Sequence, residues 1–278
     1  FSDYSDSGAM FAHGVFVFAA FAQIFSFIPE KVNKLTFIFV SLFIYSLIYF
    51  FEVGLHTLSV DLIMGVVFGI ALVGYLVDKK NSWLTSIFRL IPLVMVLILI
   101  KQIGILFSLV IIGVVVSDIL FSHVSRKEKT KLVSASFVLL AACAITYASW
   151  SAHTKTQGAD KTRISEISIN AVVKAFDPDI STEMQKLTIH NFIDRVFMPH
   201  PTARISRNYY WFSLCLAFIL LIWYLGKDYN SWARFVPFIV LFGGFCAYLV
   251  VLLVLYMFFF GDYEGPRLAS FERYINPY

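Results

Sequence analysis

The sequence predicts an all-α, polytopic transmembrane helix bundle of about eight membrane helices with a small helical extracytoplasmic loop region. Three observations predict it. Hydrophobic residues make up 59% of the 278-residue chain and charged residues only 14%, against about 25% charge in a soluble globular protein. The apolar residues come in runs close to the ~20 residues an α-helix needs to cross ~30 Å of hydrocarbon. Finally, runs such as Val94-Met95-Val96-Leu97-Ile98-Leu99-Ile100 do not alternate apolar and polar residues, as the strands of a membrane barrel must. Helices remain as the spanning elements, because they bond every backbone group internally. The same composition excludes a disordered chain, a nucleic-acid-binding protein and a disulfide-stapled secreted scaffold.

The elements follow in order. Apolar runs predict spans at 10–28, 35–51, 59–77, 132–150, 208–225 and 235–260. As one helix, the stretch from Trp83 to Ser122 would run about 60 Å, twice the membrane. It is split at Lys101-Gln102-Ile103-Gly104 into a short helix near 85–100 and a second near 104–121. The first of these is only about 24 Å long, and Arg89 and Pro92 shorten its apolar part further. Gly65, Gly69 and Gly74 in the third span are placed for close helix contact, with Gly65 and Gly69 forming a small-xxx-small pair. Cys143, Cys215 and Cys246 sit inside apolar runs and read as membrane-buried thiols.

Loop charges orient the bundle. Lys31 and Lys34, Lys79 and Lys80, the cluster Arg126 to Lys131, and Lys227 with Arg234 occupy one set of connections. The opposite short connections hold Asp3, Asp6, Glu52, His56 and Asp61, with Lys101 as their one basic residue. The positive-inside rule assigns the first set to the cytoplasm. Splitting the long stretch at Lys101 keeps this alternation unbroken. Three regions result: membrane helices in 1–150, an extracytoplasmic loop with amphipathic helices in 151–207, and membrane helices with an outer-face motif in 208–278. The expected location is a bacterial cytoplasmic membrane.

Within the long loop, Ile189, Phe192, Ile193, Val196 and Phe197 follow the spacing of one helix face, with Ser181 as N-cap, Glu183 in the first turn and Arg195 in the last. A weaker helix through Ile164, Ile167, Ala171, Val172 and Ala175 stops before Asp177-Pro178, and Pro199 and Pro201 close the second. Such helices lie on the outer leaflet or on the other helices, either as a packed cap or as a gate for substrate. The chain begins at Phe1 with a polar stretch and stops at Tyr278 after a polar motif, so it reads as an internal piece of a longer protein.

No phosphate-binding Gly-rich loop, zinc-type His-Glu pairing or Gly-x-Ser-x-Gly elbow is present, and the six histidines do not pair at helical spacing. No cofactor is evident, and nothing indicates a divalent cation or another metal. Ionisable groups instead gather at the outer ends of spans. Carboxylates there can act as a general base on a hydroxyl, while Arg267 and Arg273 can hold a phosphate through forked hydrogen bonds. If the closing segment is helical, Arg267 shares a face with Ser270, and Ser270 with Arg273. Lys101 is either a snorkelling lysine at a helix end or a cation for a lipid-linked phosphate, set where shortened helices leave a recess. Asp118 reads as the cytoplasmic end of its helix.

Several segments together resemble bacterial polytopic glycosyltransferase-like proteins of the GT-C superfamily. They are Leu58-Ser59-Val60-Asp61-Leu62-Ile63-Met64-Gly65, Leu99-Ile100-Lys101-Gln102-Ile103-Gly104-Ile105-Leu106-Phe107, and the closing Arg267-Leu268-Ala269-Ser270-Phe271-Glu272-Arg273-Tyr274. Asp3-Tyr4 through Gly8 resembles their Asp-Tyr-Pro-Pro-Gly block, without the prolines and with one more residue of spacing. The resemblance implies transfer of a sugar from a polyprenyl-phosphate donor to a glycan or lipid-linked acceptor at the outer membrane face, in surface polysaccharide assembly. It implies Lys101 and Arg273 as contacts to the donor phosphate, and Asp61 and Glu272 as groups orienting the sugar or the basic residues. Asp3 and Asp6 are the candidate catalytic bases, and the family's usual catalytic Asp would lie upstream of Phe1. The expected partners are membrane lipid, the donor and the acceptor, with no nucleic acid and no protein partner identified. A transporter or flippase, and a non-catalytic membrane subunit docking through 151–207, stay open as alternatives.

Overall fold

The computed structural model describes residues 15, 38, 60–79, 81–101, 103–156, 168–177, 179–197, 235–269 and 271. All regular structure among the described residues is helical: α1 (Val60–Asp78), α2 (Trp83–Ile100), α3 (Gly104–Phe121), α4 (Arg126–Thr156), α5 (Ile169–Ala175), α6 (Glu183–Phe197), α7 (Val236–Phe258) and α8 (Gly261–Arg267). Four of them, α2, α3, α4 and α7, are long and apolar enough to cross a membrane. This is a membrane-spanning helical protein. The expected spans at 10–28, 35–51 and 208–225 lie outside the described residues, apart from positions 15 and 38. The chain divides into two compact units between Trp150 and Ser151.

In the first unit α1 packs on both α2 and α3, and α2 packs on α3. The four residues between α1 and α2 reverse the chain: Asn81 and Ser82 N–H groups donate to the Asp78 carbonyl, and the Ser82 hydroxyl accepts the Thr85 N–H as an N-cap. This cap starts α2 at Trp83, two residues before the expected point. Its 18 residues run about 27 Å, so the helix expected to be short comes close to the hydrocarbon thickness. α3 is the inner helix of the three, burying Phe107, Ile111, Val115 and Ile119 together with Ser108, Ser117 and Asp118. On α2, Leu84, Phe88, Met95 and Leu99 face outward, where lipid is as apolar as they are. Cohesion therefore comes from close contact and polar ties. Phe68 of α1 meets Phe107 of α3 edge-on at 5.0 Å, and the Ser108 hydroxyl, buried between α3 and α2, donates to the carbonyls of Gly104 (3.0 Å) and Val94 (3.2 Å).

The corner between α2 and α3 falls at the predicted split. Lys101 leaves α2 in an extended conformation (φ −160°, ψ 144°), and its carbonyl accepts the Gly104 N–H at 2.8 Å. At Gly104 a Cβ would stand 1.9 Å from the Leu97 carbonyl oxygen, a backbone atom that cannot swing aside. Gly69 is different. Among the described residues a Cβ there would meet nothing within 4 Å, so the expected close contact through Gly69 is corrected within them, and a tight approach lies instead at Gly104.

α4 is longer than the expected 132–150. The Ser125 hydroxyl accepts the Glu128 N–H, and Lys129 Nζ donates to the Leu120 carbonyl left open at the end of α3 (2.8 Å). Its 31 residues span about 46 Å, so polar turns extend beyond the apolar middle at both ends.

In the second unit Ser168 caps the seven-residue α5, which stops ahead of Asp177 as expected; Ile164 and Ile167 lie outside the described residues. The expected cap of α6 is corrected from Ser181 to Thr182, whose hydroxyl accepts the Gln185 N–H while its own N–H donates to Gln185 Oε1. α6 packs on α7 and α8. It buries Thr188, Phe192 and Val196, whereas Ile193 and Phe197 of the expected face are exposed. α7 runs 23 residues, and after Phe260 the chain turns through Gly261 (φ +67°) into α8. α8 ends at Arg267 because Leu268 takes a left-handed conformation (φ 50°, ψ 52°), with its N–H bonded back to Glu264 and Gly265 carbonyls. The helix thus stops at Leu268, and Ser270, expected to share a face with Arg267 on a continuous helix, lies outside the described residues.

Gly104→Ala forces the α2–α3 corner open and is expected to lower stability by about 1–3 kcal/mol, the usual cost of overpacking. Gly69→Ala meets open space and gains helix propensity, so thermal unfolding in detergent should leave it at or above the parent.

Candidate functional site

The predicted site residues fall into three groups. Asp3, Asp6, Glu272 and Arg273 lie outside the described residues. Asp61 and Lys101 belong to the first unit and Arg267 to the second.

Asp61 lies in the first turn of α1, and Lys101 is the C-cap of α2. Two contacts fix how α1 and α3 align: Phe68 against Phe107 in their first halves, and Tyr75 and Lys79 against Asp118 near their ends. The two helices therefore run in the same direction, with α2 antiparallel between them in sequence. Back from the Phe68–Phe107 level, α1 begins with Asp61 in its first turn and α3 begins at the corner that carries Lys101. The structure thus brings these two predicted residues to one end of the bundle, at the corner that Gly104 makes tight. Lys101 is half-buried there.

The opposite end holds a group the sequence reading did not single out as a site. Asp118 is buried in α3, and its Oδ2 accepts the Tyr75 hydroxyl at 3.0 Å and Lys79 Nζ at 2.5 Å. Lys79 also stands 5.7 Å from the Tyr75 ring and 5.5 Å from the Trp83 ring, within cation–π range. Beside it, Arg89 of α2 pairs with Asp78 of α1 at 2.5 Å. With the Lys79 side chain 22% exposed and that of Asp118 only 10%, the Lys79–Asp118 pair is largely screened from water, whereas Arg89 is 65% exposed and its pair counts for little. The signal was present in the sequence: a carboxylate inside the apolar run of α3, and Tyr75 with Lys79 one helical turn apart at the end of α1.

In the second unit Arg267 is exposed, and its guanidinium carbon lies 3.8 Å from the centre of the Tyr263 ring one turn earlier. A guanidinium laid on a ring keeps its edge donors available for a planar or tetrahedral anion. The short helix that carries it is held from three sides. Asn191 Nδ2 of α6 donates to the Pro266 carbonyl at 2.8 Å, and the Tyr256 hydroxyl of α7 donates to the Ala269 carbonyl at 2.7 Å. A Cβ at Gly265 would stand 2.5 Å from the Tyr256 carbonyl oxygen, so glycine is required for α8 to lie this close to α7. Phe192 meets Phe271 edge-on at 5.4 Å and closes the cluster.

No protein-family model matches the chain, and neither a curated protein nor a solved structure matches it. The likeness to GT-C proteins therefore rests on the short segments themselves.

Removing one member of the Asp118–Lys79 pair leaves the other charge enclosed. Asp118→Ala is expected to cost about 3–5 kcal/mol, while Asp118→Leu combined with Lys79→Met recovers most of that loss. Unfolding of the single and double variants in the same detergent measures both.

Proposed function

We propose that this chain is a GT-C-like membrane glycosyltransferase. It transfers a sugar from a polyprenyl-phosphate donor to a glycan or lipid-linked acceptor at the outer face of a bacterial cytoplasmic membrane. The observation that carries the reading is the placement of Asp61 and Lys101 at one end of the α1–α3 bundle. A cation and a carboxylate at a helix corner are the groups needed to hold a phosphate and to orient what is attached to it.

In this reading the bundle has eight membrane helices, and the Lys79 end, with the basic start of α4, faces the cytoplasm. The Lys101 end and the loop 151–207 then face outward. The acceptor hydroxyl oxygen attacks the anomeric carbon of the donor, and the bond from that carbon to the phosphate oxygen breaks. The hydroxyl proton passes to a carboxylate, for which Asp3 and Asp6 are the candidates in this chain. The departing polyprenyl phosphate gains negative charge on its bridging oxygen; Lys101 is the candidate countercharge in the first unit, and Arg267 and Arg273 are the candidates in the closing segment. Asp61 and Glu272 hold the sugar or the basic groups in position.

Loss of a group that stabilises the leaving phosphate commonly costs about 10²–10³ in turnover. Sugar transfer from a polyprenyl-phosphate donor by the full-length protein in proteoliposomes is therefore expected to fall by at least about 10² in Lys101→Ala and Arg273→Ala. Unchanged turnover in both variants would remove these residues from the site.

A further inference from the structure

We infer that Asp118, Tyr75 and Trp83 form an alkylammonium site that the native chain fills with its own Lys79. The tethered cation latches the α1–α2 turn to the end of α3. This goes beyond the proposed transferase chemistry and stands independently of it, because it concerns the opposite end of the bundle.

Each of the three helices supplies a different part of the site. α3 contributes the Asp118 carboxylate, with Oδ2 at 2.5 Å from the ammonium. α1 contributes the Tyr75 ring at 5.7 Å, and the hydroxyl of that same residue donates to Asp118 at 3.0 Å, which fixes the carboxylate. The Trp83 ring at 5.5 Å comes from the first residue of α2. One carboxylate oxygen and two aromatic faces around a compact cation are the elements by which ammonium groups are recognised. The charged neighbour beside this site, the Asp78–Arg89 pair, is satisfied within itself and does not compete for Lys79.

Two features make this a latch rather than fixed packing. The carboxylate and the two rings belong to three helices that pack on one another, so the site stays formed when the ammonium leaves it. Lys79 also sits immediately after α1, in the four-residue connection that ends at the Ser82 cap, so its engagement holds that connection down on α3. Beyond Cβ the lysine side chain is propylammonium. Truncation to alanine therefore leaves a space matched in shape and charge to free propylammonium.

The test uses the full chain in nanodiscs. Lys79→Ala is expected to lower the unfolding temperature, and propylammonium chloride to restore it along a saturable curve that sodium chloride at the same ionic strength does not reproduce. Trp83→Leu in the Lys79→Ala background should weaken that response several-fold, and Asp118→Asn should abolish it. Absence of a saturable response, or an equal response with Asp118→Asn, would overturn the inference. A measurement on the parent chain covers the case in which Lys79→Ala does not fold. Acetylation of Lys79 should be many times slower than that of the exposed Lys127, and Asp118→Asn should bring the two rates together. Equal rates in the parent would overturn the latch as well.

Discussion

A carboxylate enclosed among apolar helices must be answered by a cation or give up its charge, and this requirement organises the α1–α3 bundle. Asp118 sits on the most buried of the three helices, and Lys79 and Tyr75 come to it from α1. Meeting that demand fixes the axial register of α1 against α3, because Tyr75 and Lys79 reach Asp118 only when those helices run side by side in the same direction. The same register brings Phe68 onto Phe107 and carries Asp61 to the level of Lys101 at the far end. Hydrophobic burial cannot set such a register in a membrane, where lipid offers apolar side chains as good a surround as a neighbouring helix. Polar ties and backbone approach do it instead. Ser108 bonded to the Val94 carbonyl is one tie, and Gly104 against the Leu97 carbonyl is the closest approach.

The second unit uses the same means. α6 is amphipathic, yet its specific contacts with the α7–α8 corner are an amide donated to the Pro266 carbonyl and a row of Thr188, Phe192 and Val196. The corner itself depends on Gly265 lying against the Tyr256 carbonyl and on Leu268 accepting a left-handed backbone. On this assembly Arg267 is exposed and laid on the Tyr263 ring. α6 of the long loop thus braces the α7–α8 corner.

Much of this was legible in the sequence, and the rest was not for identifiable reasons. Apolar run length locates α1, α2, α3 and α7 to within a few residues, because the bilayer imposes the length. The break at Lys101 was legible from the impossibility of a 60 Å membrane helix (about twice the hydrocarbon core) and from charge alternation. Hydropathy says nothing about which side of an all-apolar helix meets its neighbour. The close contact expected at Gly69 is therefore not found among the described residues, whereas Gly104, read only as part of the break, lies against the Leu97 backbone. Periodicity drew α6 with its apolar face centred too far round, since Ile193 and Phe197 fit the spacing as well as Phe192 and Val196. Asp118 was read as a helix end, ahead of the basic cluster; its partner Lys79, one turn beyond Tyr75, lies 39 positions earlier in the chain, and no local pattern links them. The end of α8 was hidden for a similar reason, because a left-handed Leu268 carries no sequence signal.

Among the described residues Asp118 and Lys79 hold helices together, and the proposed function assigns Lys101, at the α2–α3 corner, to a lipid-linked phosphate. A photoreactive polyprenyl-phosphate sugar, crosslinked to the full-length protein in native membranes and mapped by mass spectrometry, tests that assignment most directly. Label concentrated in the peptide around Lys101 and Gly104, competed by unlabelled donor, is the expected result. Label spread evenly over lipid-facing helix surfaces, or concentrated near Lys79 and Asp118, would contradict it.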